Sequence, residues 1–211
     1  MSESTPTVFV VDDDLAVLKS LKRLLNSAGL TAEAFLSAHD FLEQFPPAAS
    51  GCVILDLAMP GIDGLQVQQA LAERGSVIPI IFLTGRADVP TSVRAMKRGA
   101  SDFLTKPVSK NHLVEAVRDA IEKCEALQRE RQEVSEIQRR YASLTARERE
   151  VFAHLLSGKL NKQIAADLGT VEYTIKIHRA RVMRKMQART LAILIRLAAR
   201  AGIRAVPSAN R

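Results

Sequence analysis

The residues best able to do chemistry in this chain are carboxylates and one ammonium placed where apolar runs end. The run Gly51-Cys-Val-Ile-Leu-Asp56 closes on a carboxylate, and Asp56 opens the loop string Asp56-Leu-Ala-Met-Pro-Gly-Ile-Asp-Gly64. Val8-Phe-Val-Val-Asp-Asp-Asp14 places more carboxylates after an earlier apolar run, and Thr105-Lys-Pro107 brings an ammonium after a later one. The carboxyl ends of strands are where an α/β sheet binds and transforms ligands. In a doubly wound parallel sheet of order 2-1-3-4-5, the ends of the first and third strands flank the topological switch point, so Asp12, Asp13 and Asp56 are expected to converge. Three carboxylates at close range repel one another, so such a site either holds protons or recruits a hard divalent cation. Mg²⁺ suits it best, because it accepts a few carboxylates and keeps several waters and a phosphate oxygen. Thr84 ends the fourth strand as a hydroxyl donor, and Lys106 ends the fifth as a compact charge that can meet a phosphoryl oxygen. A cis peptide before Pro107 would aim that ammonium inward, although only about 5% of X-Pro bonds are cis. Together these groups read as a phosphate-accepting switch.

The elements that must hold them follow from hydrophobic periodicity. Over the first 120 residues short apolar runs alternate with helix-period segments, which predicts a parallel sheet wrapped by helices. Strands are expected near Thr7 to Asp12, Thr31 to Leu36, Cys52 to Asp56, Ile78 to Thr84 and Asp102 to Thr105. Asp13 or Asp14 is the first N-cap, Pro90 falls early in the fourth helix, and Ser109 caps the fifth. From Val114 to Tyr141 there is no Gly or Pro and charges of both signs interleave, so the fifth helix is expected to continue as a long solvated linker. Leu127, Val134 and Tyr141 repeat every seven residues, but the alternate seam positions Lys123 and Glu130 are charged, which argues against a coiled coil. The predicted divisions are 1–120, a linker 121–142, and 143–211.

After Ser143 the pattern is entirely helical. Thr145-Ala-Arg-Glu148 is a capping box and Gly158 closes the first segment. Three more helices are expected, over about Lys162 to Leu168, Glu172 to Met186 and Thr190 to Ala201, with Gly169 in the tight turn between the first two. A helix, a short glycine-containing turn and a basic helix make a helix-turn-helix. With Ile175 at the centre of the buried face, steps of 100° put Val182 and Met186 beside it. The opposite face then carries Tyr173, Lys176, Ile177, Ala180 and Arg184, with Thr174 and Arg181 on its shoulder, as a helix lying in the major groove should. Lys162, at the start of the preceding helix, is placed to meet phosphate. His178 reads as a packing residue, since no second metal ligand lies nearby.

The strings VFVVDDD, DLAMPGIDG, FLTG and DFLTKP resemble the signature of receiver domains of two-component response regulators. Residues 143–202 resemble the LuxR-type helix-turn-helix. The whole chain is therefore similar to regulators of the NarL/FixJ type, and His178-Arg-Ala-Arg-Val-Met-Arg-Lys-Met186 suggests the FixJ branch. The resemblance implies a CheY-like, flavodoxin-like sheet joined by a linker helix to a four-helix DNA-binding domain. It implies phosphorylation of Asp56 by a histidine kinase and Mg²⁺ ligation by Asp13, Asp56 and the backbone carbonyl of Ala58, with indirect support from Asp12. It makes Thr84 and Phe103 a switch pair and Lys106 the phosphoryl-binding cation. It also implies a phosphorylation-dependent homodimer, double-stranded DNA as partner, and activation of transcription through RNA polymerase. Two positions depart from the commonest receiver pattern. Ala58 cannot hydrogen-bond the water that hydrolyses an acyl phosphate and Arg86 is cationic, so the phosphorylated form is expected to have its own lifetime. Val171 stands where the family often has a capping Ser, which leaves Thr170 as the expected cap.

Charge and composition agree with two modules. Residues 1–119 carry a net charge of −3, residues 120–142 are neutral and residues 143–211 carry +10, so the last third suits a polyanion. No apolar run approaches the roughly 18 to 20 residues of a membrane span, and the polar opening Met1-Ser-Glu-Ser-Thr-Pro lacks a signal peptide's pattern, so a cytoplasmic protein is expected. Cys52 and Cys124 show no metal or redox spacing and read as inert thiols. Two other classes fit less well. An aspartyl phosphatase would normally place its nucleophile after the first strand, and Asp12-x-Asp14 lacks the accompanying Thr. A phosphate-independent architectural DNA-binding protein would show equal operator affinity with and without a phosphodonor. A regulator rather than an enzyme is the reading adopted.

Overall fold

The computed structural model describes residues 5–46, 49–85 and 89–204. Arg86 lies outside the described residues. Five parallel strands, β1 (Thr7–Val11), β2 (Thr31–Phe35), β3 (Gly51–Leu55), β4 (Ile80–Thr84) and β5 (Asp102–Thr105), form one sheet in the order β2-β1-β3-β4-β5. Helices α1 (Leu15–Ser27), α2 (Ala38–Gln44), α3 (Gly64–Glu73) and α4 (Val89–Lys97) link successive strands, and α5 (Lys110–Ala142) follows the last. The expected sheet order and all five strands are present, with ends shifted by at most two residues.

Strands buried on both faces need continuous apolar runs, and alternate residues then serve opposite cores. Phe9, Val11, Val53, Leu55, Ile80 and Phe82 pack on one side with Phe41, Leu65 and Leu71. Val8, Val10, Cys52, Ile54, Ile81 and Leu83 pack on the other with Leu18, Leu25, Leu113 and Val117. Register is also set by backbone contact at one glycine. Gly51 has φ +128°, and a Cβ there would lie 1.9 Å from the carbonyl oxygen of Thr7.

Asp14 caps α1, accepting from the N–H groups of Ala16 and Val17, which settles the choice between Asp13 and Asp14. Ser109 accepts from the N–H of His112 at the start of α5. The described chain divides after Gln128 into two compact units, and α5 runs through the division. The helix continues unbroken through this stretch, no residue from 125 to 136 is buried, and its two ends anchor in the units they adjoin. Cys124 is fully buried in the first unit, and Ile137 is buried in the second. The cause is spacing: Val117, Ala120 and Cys124, then Ile137, Tyr141 and Leu144, recur at three or four residues and form apolar stripes.

The second unit contains α6 (Ala146–Leu156), α7 (Asn161–Asp167), α8 (Glu172–Lys185) and α9 (Leu191–Arg200). Val151, Phe152, Leu155, Ile164, Ile175, Val182, Met186 and Leu194 form its core. The Thr145–Glu148 capping box is present. The N-cap of α8 is Val171, in an extended conformation and without a side-chain capping bond, so Thr170 does not cap this helix. Lacking a side-chain oxygen at that position, the first turn gets no side-chain acceptor for its free N–H groups.

Candidate functional site

The carboxylate site forms at the carboxyl ends of β1, β3, β4 and β5. Asp12 and Asp56 directly follow β1 and β3, whose parallel register pairs Val11 with Leu55 and so sets the two acids side by side. Thr84 is the last residue of β4, paired with Thr105 of β5, and the N–H of Lys106 donates to the Thr84 carbonyl oxygen at 2.8 Å. That bond leads the lysine back across the strand ends. Its Nζ donates to Asp12 Oδ2 at 2.5 Å and to Asp56 Oδ1 at 3.0 Å. The Lys106–Pro107 peptide is cis.

Both carboxylates are buried, at 3% exposure for Asp12 and 7% for Asp56. An isolated buried charge is costly, and a shared ammonium removes most of that cost. Burial works to lower the affinity of Lys106 for its proton, but hydrogen bonds to Asp12 and then Asp56 outweigh it and hold the ammonium above its ordinary value. The remaining carboxylate oxygens are tied locally. Asp14 N–H donates to Asp12 Oδ1 at 3.0 Å, and Ala58 N–H donates to Asp56 Oδ2 at 2.8 Å.

Of the three carboxylates expected to converge, Asp12 and Asp56 share the Lys106 ammonium. Asp13 is exposed, and among the described residues no three acidic, His or Cys side chains gather closely enough to cage an ion. Phe103 is half-buried with its ring 6.0 Å from that of Phe82, and Thr84 is buried. Ala58 is exposed beside the site.

Two residues the sequence reading left without roles shape the loop after Asp56. Asp63 and Gln66 form a capping box at the start of α3, with bonds of 2.7 and 2.8 Å. The Asp-x-x-Gln spacing carried that signal. Gly64 lets α3 approach the site: a Cβ there would meet the Asp56 carbonyl oxygen at 2.5 Å and the Phe82 ring at 2.9 Å.

In the second unit, the predicted reading face lies open on α8. Tyr173, Lys176, Ile177, Ala180, Arg181 and Arg184 are exposed, Thr174 is half-buried, and Ile175, Val182 and Met186 are buried as phased. Lys162 is exposed on α7. Lys176 pairs with Glu172 at 3.3 Å, whereas Arg181 and Arg184 have no ion-pair partner among the described residues. Arg179 bonds Asn161 at 3.2 Å and ties α8 to the start of α7. Lys185 turns inward to Glu148 at 2.6 Å and also donates to the Ser143 carbonyl oxygen. Glu148 is held below the usual carboxylate range, first by the Lys185 hydrogen bond and then by the backbone N–H of Thr145. This buried pair was missed because its partners are 37 residues apart. His178 is half-buried, as a packing residue would be.

The cysteines are both free and buried. Burial, with Cys124 nearby, pushes the Cys52 thiol up to about 12.

Comparison with known proteins agrees with this geometry. The response regulator receiver domain family matches residues 8–118, and the luxR family of bacterial regulatory proteins matches residues 142–198. The response regulator protein TodT of Pseudomonas putida is 42% identical over 200 residues, spanning 95% of this chain and 88% of TodT. The transcriptional regulatory protein FixJ of Azorhizobium caulinodans is 43% identical over 203 residues, spanning 96% of each chain. The solved structure of the response regulator StyR aligns with a TM-score of 0.85 at 41% identity, covering 93% of this chain and 99% of that one. Fold and site thus define a receiver coupled to a helix-turn-helix. The chain belongs to the two-component response regulators of the FixJ type, transcription regulators that carry a LuxR-type DNA-binding domain. No helix among the described residues is long and apolar enough to cross a membrane.

Proposed function

We propose that Asp56 accepts a phosphoryl group from a cognate histidine kinase, and that this modification governs DNA binding through α8. The observation that carries the proposal is the buried Asp12–Lys106–Asp56 triad at the switch point of the sheet. In the transfer, an Asp56 carboxylate oxygen bonds to phosphorus as the phosphorus–nitrogen bond of the phosphohistidine breaks, and the imidazole leaves with the bond pair and takes up a proton. Lys106 is already within reach of the acceptor and can follow the new phosphoryl oxygens. Thr84, at the neighbouring strand end, supplies a hydroxyl.

The donor set suits Mg²⁺, being hard carboxylate oxygens with solvent access through exposed Asp13. Asp13, Asp56 and the Ala58 carbonyl would hold the ion, with Asp12 in indirect support. Bound there, Mg²⁺ would neutralise charge on the phosphoryl group. This role asks Lys106 to yield part of its hold on the carboxylates.

Phosphorylation adds about −1.5 to −2 charges and new acceptor oxygens at Asp56. A hundredfold shift of a two-state equilibrium needs about 2.7 kcal/mol of differential interaction, which new charge-assisted bonds can supply. Thr84 moving toward the phosphoryl group and Phe103 filling the vacated space would bias the surface of α4, β5 and α5 toward a homodimer that reads two half-sites. Residues 1–120 act as receiver, 121–142 as connecting helix and 143–211 as the DNA-binding part, in the cytoplasm. Activation through RNA polymerase is the favoured output. Lys162, Thr174, Lys176, Arg181 and Arg184 would hold the duplex, and Tyr173, Ile177 and Ala180 would lie on the face toward the bases.

The test is Asp56→Asn with a small phosphodonor such as acetyl phosphate. Wild type gains one phosphoryl group by intact mass, dimerises and binds DNA more tightly, while the variant does none of these. Full stimulation of the variant overturns the assignment.

A further inference from the structure

The first turn of α8 presents apolar side chains that its own unit leaves uncovered. Val171 is 64% exposed and Tyr173 is 73% exposed. Val171 is the N-cap through its backbone, but its side chain forms no capping bond and lies outside the core. The residue between them, Glu172, pairs with Lys176 at 3.3 Å and cancels the one cation in the first half of the helix. Arg181 and Arg184 follow one and two turns later with no ion-pair partner among the described residues. Charge along α8 is therefore divided. Its N-terminal turn is apolar with a balanced ion pair, and its second half is cationic.

The two halves suit different parts of a duplex. Phosphates call for unpaired cations, which the second half supplies. An apolar tip gains nothing from a phosphate and loses its hydration there. In helix-turn-helix docking the N-terminal residues of the second helix meet base edges in the major groove. The apolar group displayed on those edges is the thymine C5-methyl. The net charge of +10 over residues 143–211 favours a nucleic acid over a protein as the occupant of this face.

We propose that Val171 and Tyr173 are specificity-determining residues that read thymine methyl groups, so that each operator half-site carries thymine beneath the first turn of α8. The proposal rests on the DNA-binding reading of this helix and adds its base preference. The Tyr173 ring makes the contact and its hydroxyl is dispensable. Burying one methyl corresponds to about a four-fold gain in affinity.

The test uses the full chain, with a small phosphodonor, to select duplexes from a random pool. Each thymine of the selected duplex is then replaced in turn by uracil, which removes the methyl and preserves base pairing. One or two replacements per half-site are expected to weaken wild-type binding about four-fold. Tyr173→Ala together with Val171→Ala should abolish that difference, and Tyr173→Phe should retain it. The inference is overturned if the selected half-site lacks thymine, if every uracil replacement is neutral, or if the loss persists in the double alanine variant. Failure to select any preferred duplex would instead remove the DNA-binding reading on which the inference stands.

Discussion

The two functional regions handle charge in opposite ways. In the first unit, Asp12, Asp56 and Lys106 are gathered and largely withdrawn from water, with Lys106 94 and 50 residues away in sequence from the acids it contacts. In the second, the reading face is exposed, and its groups, apart from Lys162, sit within three turns of α8. A gathered, buried set is mutually dependent, because removing one member leaves the others desolvated without a counter-charge. Exposed cations on one helix are nearly independent, since water solvates whatever remains. The first arrangement suits a switch, whose parts must change together. The second suits graded contact with a polymer.

The largest effect that could break this comparison is at Lys106. Replacing it with alanine leaves Asp12 and Asp56 facing each other, and the first unit is expected to lose about 3 kcal/mol at neutral pH, measured by urea unfolding. In wild type, the raised proton affinity of Lys106 in the folded state gives stability that is complete below the ordinary lysine value, about pH 10.4. That stability is lost as pH rises through the higher folded value. A flat alkaline profile would remove Lys106 from the buried network.

Glu148 tests whether the second unit contains a dependent pair of its own. Glu148→Gln keeps the capping hydrogen bond, since glutamine serves the same role, but leaves Lys185 without its partner. The expected cost is about 2 kcal/mol, below that of a fully buried pair because Lys185 keeps access to water. Because the folded carboxyl is held below its usual range, this contribution is present above the ordinary glutamate value. It is lost as pH falls through the depressed one. Acid unfolding followed on the second unit measures it.

The smallest stability effect is expected at Arg184. Arg184→Ala should change stability by less than about 0.5 kcal/mol. It should weaken binding to all duplexes and lower the slope of log affinity against log salt by about 1. Lys176→Ala should move that slope less, because Glu172 already engages the ammonium. Equal slopes for the two variants would mean that the Glu172 pair opens on DNA and that the division of α8 into halves is lost there.

Much of this was legible from local pattern. The apolar runs at Thr7–Val11 and Gly51–Leu55 mark strands buried on both faces, and the buried set of α8 matches its phasing from Ile175. Less legible were contacts between groups distant in sequence. Lys106 reaches Asp12 and Asp56 across 94 and 50 residues of sequence, and its bond to both acids at once is set by the strand register. The connecting helix is charge-rich in composition, and the burial of Cys124 and Ile137 at its two ends is a tertiary outcome.

By itself, the sequence determined the element types, the parallel sheet order and the candidate acceptor Asp56. Each rests on periodicity or on strand-end position, and both are properties of neighbouring residues. Tertiary structure alone decided that Lys106 joins two of the acids, that Glu148 receives Lys185, and that Val171 and Tyr173 are left uncovered. Those outcomes depend on which desolvated charges find partners and which apolar surfaces find cover, and that balance exists only once the chain has folded back on itself.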